Sequence, residues 1–400
     1  MAGKTMVPVL VVMMLLTGVS NTLLTKYQDK QCVYNCDTTD TTKRHNFEQP
    51  VWQTVQMFVG EMGCWLVIGL TALYNRYSTK RTVAGYEAIA TDETDATDET
   101  ELLPKSNNVL QGRRIVLLSL PAICDICGTT LMNVGLLLVA ASIYQMTRGA
   151  LVLFVGLFSV VFLQHKLHLF QWISLGGVVL GVATVGLAGA IYPDTPDDIA
   201  KVLSGEKPTE NSAVLTIVGV LLIAGAQIFT ATQFVLEEWI LSNSTIDPIT
   251  VVGWEGLFGF LVTLMGMLVM HFLRGRTDDG RNGIFDIVEG WRQMTSSREL
   301  IISSILIMIS IGGFNFFGLS VTRSVSATSR STIDTCRTIF IWMASLALGW
   351  ESFKWLQVLG FALLVYFTFV FNGIVNPPFE RLRREGSVEE LLHEEPIEHM

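Results

Sequence analysis

Long apolar runs alternate with short polar breaks along almost the whole chain. A helix needs roughly 20 apolar residues to cross the hydrocarbon core of a bilayer. Ten stretches meet that length, at approximately 7–25, 51–73, 115–138, 141–163, 169–191, 213–238, 249–273, 300–322, 325–349 and 355–375. The third and fourth are nearly continuous, which predicts a very short turn between them. The roughly 10-residue alternating segments of a membrane β-barrel do not occur. The first stretch has an apolar core, VPVLVVMMLL, followed by TGVSN, a pattern shared with cleavable signal peptides. The continuation TLLTKY carries the run to membrane length and favours a retained helix.

Composition points the same way. Half of the 400 residues are apolar and 16% are charged, with a mean hydropathy of +0.46. A soluble chain carries about 25% charged residues. The expected fold is therefore an all-α membrane protein with ten transmembrane helices. The net charge of −9 offers no hint of nucleic-acid binding, and no such partner is expected.

An even number of spans puts both termini on one side. Lys and Arg outside the spans divide equally between the two sides, so the positive-inside bias leaves orientation open. Short motifs lean one way. The loop after the second span holds YEAI, with Tyr86 and Ile89, and DETELL, with Asp98, Leu102 and Leu103. These resemble tyrosine-based and acidic dileucine sorting signals read by cytoplasmic clathrin adaptor proteins. The tail holds SVEELL, with Leu391, Leu392 and Ser387 where an acid would stand; phosphorylation would supply that charge. The competing reading of TDETDATDETE is a solvated low-complexity linker. Together the motifs predict cytoplasmic termini and a lysosomal or late endosomal membrane, with mitochondrial and Golgi membranes as alternatives. Cys32 and Cys36 then face a lumen, where a disulfide and two free thiols are both open readings. The sequon Asn243-Ser244-Thr245 falls on the cytoplasmic side in this topology, so glycosylation there would invert it.

Ten spans divide into five and five. NVGLLLVAASIYQMTR at 133–148 matches NFFGLSVTRSVSATSR at 315–330 at five of sixteen positions, at the third-to-fourth and eighth-to-ninth junctions. FVGEMG in span two and VGWEGL in span seven form a second pair. Five is odd, so two such halves enter the membrane with opposite topology. Transporters use this arrangement to place a site between the repeats at mid-membrane.

Ionisable groups inside spans are rare and mark function by default. Here they are Glu61 in span two, Asp125 in span three, Arg148 in span four, Glu255 in span seven, and Arg330, Asp334 and Arg337 in span nine. The last three share one helical face. That face should turn inward, since facing lipid costs at least ~2.5 kcal/mol per charge at the bilayer centre. Asp334 could simply neutralise its helical neighbours, but two Arg against one Asp call for a further anion from the protein or a solute. Arg148 has a rival fate in snorkelling to the interface. Glu61 and Glu255 sit deep in apolar runs, and low dielectric favours the neutral form of a carboxyl group, so proton exchange is expected there. Tyr144, Gln145, Asn315, Ser326, Thr328 and Ser329 near the junctions, with Gln227 and Thr230 in span six, either line a path or bond across helices. Glu237 and Glu238 fall at the end of span six, where a merely interfacial place is open to them. Gly177 and Gly181 predict close helix contact, and GGFNFFG at 312–318 does the same or loosens its helix.

Enzyme signatures find no support. Cys124 and Cys127 have CxxC spacing but follow Pro121 inside a span and lack the second ligand pair of a zinc site. No GxxxxGK[ST] or GxSxG motif occurs, which removes support for ATP-driven pumping and serine hydrolase chemistry. No metal, cofactor or enzymatic activity is expected.

The runs LPAICDICGTTLMNVGL, YQMTRGALVLFVGLFSVVFL, QFVLEE, GWEGLFGF, FNFFGLSVTRSVSATSRSTIDTCRTIFIWMASLALGWESF and LQVLGF carry a resemblance that covers 7–375. They resemble solute carrier family 35, F branch, sixth-member type. That group lies in the drug/metabolite transporter superfamily, with nucleotide-sugar transporter-like and chloroquine-resistance-transporter-like relatives. The resemblance implies ten helices in two inverted five-helix repeats, alternating access, and a lysosomal membrane, with a mitochondrial one also proposed for the family. Family positions coincide here at Asp125, Gln145, Arg148, Glu255, Asp334 and Arg337. Nucleotide-sugar relatives direct membrane-embedded Lys toward phosphate; none lies within the ten stretches, which counts against a nucleotide sugar.

The expected organisation is a first transmembrane helix at 1–26, a lumenal loop at 27–50 and the rest of the first repeat at 51–191, with an acidic cytoplasmic loop at 75–113. A connection at 192–212, a second repeat at 213–375 and a cytoplasmic tail at 376–400 follow. The expected function is secondary active transport of a small organic solute, cationic or zwitterionic and proton-coupled. Its partners would be the solute, the lipid bilayer and clathrin adaptors. Nucleotide-sugar or nucleotide antiport is the first alternative, and a non-transporting scaffold or receptor the second.

Overall fold

The computed structural model describes residues 2–36, 45–47, 49–83, 112–136, 138–139, 144, 147–164, 168–191, 210–277, 283–349, 355–371 and 375. Helices dominate: α1 (Ala2–Asp29), α2 (Pro50–Val83), α3 (Ser119–Leu136), α4 (Leu151–Leu163), α5 (Leu169–Ile191), α6 (Glu210–Ser242), α7 (Pro248–Met270), α8 (Arg298–Ser324), α9 (Ala327–Ala347) and α10 (Trp355–Phe371). Turns of 3-10 helix at Gly112–Leu118 and Arg148–Ala150 lead into α3 and α4, and a π turn, His271–Gly275, extends α7. A short helix, Ile287–Met294, stands between α7 and α8. Strands β1 (Cys32–Tyr34) and β2 (His45–Asn46) pair antiparallel between α1 and α2.

Among the described residues, six segments are long and apolar enough to cross a membrane: Met6–Asp29, Pro50–Tyr77, Ile115–Leu136, Ile217–Ser242, Pro248–Gly275 and Arg298–Ser324. Arg148–Leu163, Leu169–Val185 and Val358–Phe371 are apolar but shorter. The chain is a multi-pass membrane protein. Helix α9 is in neither group, and its first three turns carry Arg330, Asp334 and Arg337.

Two boundaries differ from the sequence reading. Helix α2 runs on to Val83, into the polar segment expected from 75. The first apolar segment continues to Asp29, so Lys26 falls inside it and the expectation of no Lys within a span is corrected. There the Lys26 ammonium donates to Ser345 Oγ of α9 at 3.3 Å, a polar partner for a charge near the end of the segment. Gln145, most of the connection between the third and fourth stretches, most of the acidic loop, and the motif residues Tyr86, Ile89, Asp98, Leu102, Leu103, Leu391 and Leu392 lie outside the described residues.

Helix starts follow local chemistry. Pro248 opens α7 just after Asp247, where its missing N–H would have had no partner in any case. Ser297 and Ser326 cap α8 and α9, accepting from Leu300 N at 3.2 Å and Ser329 N at 3.1 Å. Ser326 also bonds the Thr328 hydroxyl at 2.8 Å and the Ser329 hydroxyl at 3.1 Å, so this polar run builds the sharp α8–α9 turn.

Packing pairs α1 with α8, α3 with α6, α2 with α7 and α5 with α10, while α2 also meets α8 and α3 meets α7. Met14, Ile311, Phe314 and Val321 form the α1–α8 core, and Leu151, Val155, Phe234, Val235 and Ala327 join α4, α6 and α9. Hydrocarbon gives helices no hydrophobic reason to associate, so small residues that permit close approach matter most. Helices α2 and α8 touch backbone to backbone: a Cβ at Gly312 would stand 2.6 Å from the Gly60 carbonyl oxygen, and one at Gly60 would strike Met308 O. GGFNFFG therefore serves packing. Gly181 does the same in α5, where a Cβ would lie 2.9 Å from Leu364 N of α10.

Outside the spans, the β1–β2 hairpin clasps the short helix. Cys32 and Cys36 form a disulfide with Cα atoms 5.8 Å apart. The Tyr34 hydroxyl donates to Glu289 Oε1, and Gln293 Nε2 donates to the same oxygen at 2.9 Å. Burial, reinforced by Glu289, pushes the Tyr34 phenol pKa up, so it remains a donor through mildly alkaline pH. Trp52 of α2 meets Trp291 with ring centroids 5.6 Å apart.

Substitutions at two glycines should have opposite signs. Gly312→Ala overpacks the α2–α8 crossing and should cost about 1–3 kcal/mol. Gly63→Ala, with nothing within 4 Å of the added carbon, should gain about 0.5–1 kcal/mol from helix propensity. Thermal unfolding of the full chain in detergent reads both.

Candidate functional site

Glu61 sits where three helices cross. The Gly60–Gly312 contact brings α8 against α2, and one turn further along α8 Asn315 Nδ2 donates to Glu61 Oε1 at 2.6 Å. On the other side α7 passes as closely, since a Cβ at Gly256 would stand 2.7 Å from Glu61 Cβ. The residue before that glycine is Glu255, buried, with Oε1 lacking any hydrogen-bond partner among the described residues. Glu61 and Glu255 are near enough to interact electrostatically with each other and with Asp125 and Glu237. Asp125 of α3 accepts from Thr129 Oγ1 at 3.3 Å.

Arg330 faces these four carboxylates. Fully buried, it pairs with Glu237 of α6, and its guanidinium carbon lies 3.9 Å from the centre of the Phe234 ring. Gly318 of α8 leaves it room, since a Cβ there would be 2.9 Å from Arg330 Nε. The interfacial reading of Glu237 is thereby corrected: it is 1% exposed. Helix α6 runs on to Ser242, which carries Glu237 more than a turn inside. Gln233 Nε2 donates to Glu237 at 2.9 Å, and this polar pair four residues apart in QFVLEE was the available sign of an inward face. Glu238 is different, accepting Ala327 N at 3.0 Å at the positive end of α9.

A second, basic group adjoins the first. Arg337 Nη2 is 2.9 Å from Asp334 Oδ1, and Arg148 Nη2 is 4.0 Å from Asp334 Oδ2. Arg337 lies over Phe314 at 4.5 Å, and Arg148 lies 5.9 Å from the Tyr144 ring centre. Helix α1 reaches this group at Gly18, where a Cβ would stand 2.6 Å from Arg337 Cδ. The Arg148 side chain is 21% exposed, so it neither snorkels free nor disappears into the core. Arg330 and Arg337 sense each other electrostatically, which links the two groups.

The three charges of α9 thus turn inward as their spacing predicts, but they do not share one neutralising network. Arg330 turns to α6, while Asp334 serves Arg337 and Arg148. Among the described residues, Glu61, Asp125, Glu237, Glu255 and Asp334 face Arg148, Arg330 and Arg337, five carboxyl groups against three guanidinium groups. An unmatched ion in such surroundings costs several kcal/mol. Tyr144 is half-buried beside Met132 Sδ at 3.9 Å, and Cys32 and Cys36 lie apart from the site on the hairpin.

The family model described as nucleotide-sugar transporter matches residues 83–309. An uncharacterized protein of Schizosaccharomyces pombe is 38% identical over 367 residues, covering 92% of this chain and 98% of its own. Solute carrier family 35 member F6 of Homo sapiens is 36% identical over 388 residues, covering 96% of this chain and 94% of its own. The Mus musculus protein of the same name is 34% identical over 390 residues, covering 95% of this chain and 94% of its own.

Breaking the Arg330–Glu237 pair should be costly. Glu237→Gln removes the carboxylate in direct contact with a buried guanidinium and should destabilise the protein by ~3–5 kcal/mol, and the Glu237→Gln/Arg330→Gln double variant should cost clearly less than the two single changes added together. Thermal unfolding of the four proteins in one detergent completes the cycle.

Proposed function

Given that the chain belongs to the nucleotide-sugar transporter family, on the member F6 branch of solute carrier family 35, we propose that this membrane transporter moves a small cationic or zwitterionic solute with proton coupling. The observation that carries the reading is the surplus of buried carboxyl groups over guanidinium groups. Glu61 is held by Asn315, whereas Glu255 keeps an oxygen without a partner. A proton or the positive group of a solute at Glu255 answers the same electrostatic demand, so the two compete. Competition for one carboxylate is the simplest physical basis for coupling. The adjoining Arg148 and Arg337 share Asp334 alone, which leaves positive charge for the carboxylate of a zwitterion.

Helix packing supports two inverted five-helix repeats. Exchange each helix with the one five places later: α1 on α8 becomes α6 on α3, α2 on α8 becomes α7 on α3, and α4 on α6 becomes α9 on α1. The pairs α2–α7, α4–α9 and α5–α10 map onto themselves. These contacts are present, while α7 on α8 and α5 on α6 have no comparable counterpart among the described residues, so the exchange holds for the larger interfaces of a body that would alternate access by rocking one repeat against the other. The disulfide hairpin would face an oxidising lumen, with the termini and their sorting-like motifs in the cytoplasm, in a lysosomal membrane.

Nucleotide-sugar or nucleotide antiport is a second reading. The family description and Lys26 within Met6–Asp29 favour it. Against it, Arg330 is already engaged by Glu237, and the surplus of buried carboxyl groups repels a polyanion.

Proteoliposomes separate the readings. Uptake of organic cations or amino-acid zwitterions driven by a pH gradient supports the first, trans-stimulation by a nucleoside monophosphate supports the second, and no flux of any lysosomal metabolite leaves a scaffold or receptor. On the first reading, Glu61→Gln and Glu255→Gln each abolish the pH dependence of uptake. Unchanged pH dependence in both variants would refute the proton assignment.

A further inference from the structure

The helix Ile287–Met294 has its polarity reversed. Glu289 and Gln293 are buried, Glu289 to 5% exposure, while Ile284, Phe285, Val288 and Trp291 stand open, Val288 at 69% and Trp291 at 56%. Val288 and Trp291, three residues apart, share one face of the helix, and Ile284 and Phe285 stand in the turn just before it. Left in water, this would be an uncovered apolar patch beside a buried acid.

The helix cannot roll over to hide it. On its polar side Glu289 accepts from Tyr34 and from Gln293. Gly290 rests on Trp52, where any Cβ would collide with the indole. At the start, Asp286 accepts from Val288 N at 3.1 Å and faces His271 of the α7 extension at 3.8 Å. These contacts hold the polar side inward, and on the apolar face Trp291 touches Trp52 at its edge while staying 56% exposed.

What covers that face is indicated by what it continues. Phe272 and Leu273, at the end of α7, are exposed, as are Ile301, Ile302 and Ile305 in the first turns of α8. These are outer surfaces of two candidate spans, and the helix lies in the chain between them. Tryptophan on the face and exposed Arg292 on its flank are the residue types that settle at headgroup depth.

We propose that Ile287–Met294 lies in the plane of the bilayer, with Ile284, Phe285, Val288 and Trp291 seated at the boundary between headgroups and acyl chains. Its occupant is lipid, in the leaflet on the side of the disulfide hairpin. The buried polar face then holds that hairpin down on the membrane surface through Tyr34.

The test uses the full chain in phosphatidylcholine vesicles, with Val288→Cys carrying a polarity-sensitive fluorophore. The unsubstituted chain, with its free thiols at Cys64, Cys124, Cys127 and Cys336, gives the labelling background. The expected result is blue-shifted emission, quenched several-fold more strongly by lipids spin-labelled high on the acyl chain than by aqueous iodide. Native tryptophan fluorescence supplies a second reading: brominated lipids should quench the unsubstituted chain more than Trp291→Phe. Dominant iodide quenching overturns the proposal and leaves the face for a soluble partner. Shielding from both quenchers also overturns it, because protein, in this chain or a second copy, would then be the cover.

Discussion

A charge placed in hydrocarbon must be matched by another charge or a proton, and much of this molecule is arranged around that demand. Arg330 and Glu237 tie α9 to α6. Asp334 with Arg148 ties α9 to the start of α4, and Asn315 with Glu61 ties α8 to α2. The helices held by these polar contacts are also those held by close packing. Glycine at 18, 256 and 318 thins the wall wherever one of these charged side chains needs room. Apolar packing and charge pairing are therefore the same design seen at different atoms. Loosening either one disturbs the other.

Six of the expected spans were legible because the bilayer dictates both length and apolarity, and the sequence carries both in plain view. The inward turn of Arg330, Asp334 and Arg337 was legible for a similar reason, since helical spacing alone puts them on one face. Partner choice was not legible. That Arg330 answers to Glu237 rather than to Asp334 depends on where α6 passes α9, which no local pattern encodes. Helix ends were misjudged for a related reason. An apolar run marks where hydrocarbon begins and ends, but backbone hydrogen bonding carries a helix further, as α1 shows by taking in Lys26 and α2 by reaching Val83. The serine and threonine run at Ser326, open to lining a path or bonding across helices, supplies a helix cap at Ser326, because hydroxyls near a break satisfy orphaned backbone amides first.

Polarity rules learned from soluble proteins invert at the membrane edge. In water, Glu289 and Gln293 would mark the outer face of their helix and Val288 and Trp291 the inner. Here the hairpin supplies hydrogen bonds on the protein side, so the carboxylate turns in. A binary pattern tells which residues share a face, and only the surrounding solvent tells which way that face points.

The crossing of Gly60 and Gly312 has a mechanical meaning. Backbone resting on backbone has no rotamers to yield, so the α2–α8 crossing is a stiff junction, as is the Gly181–Gly360 crossing of α5 and α10. Relative motion of α2 and α8 would pivot at their crossing more readily than slide past it. Glu61 is the next residue along from Gly60, close to that pivot. Its own displacement is then small, and what changes around it is the approach of the neighbouring helices.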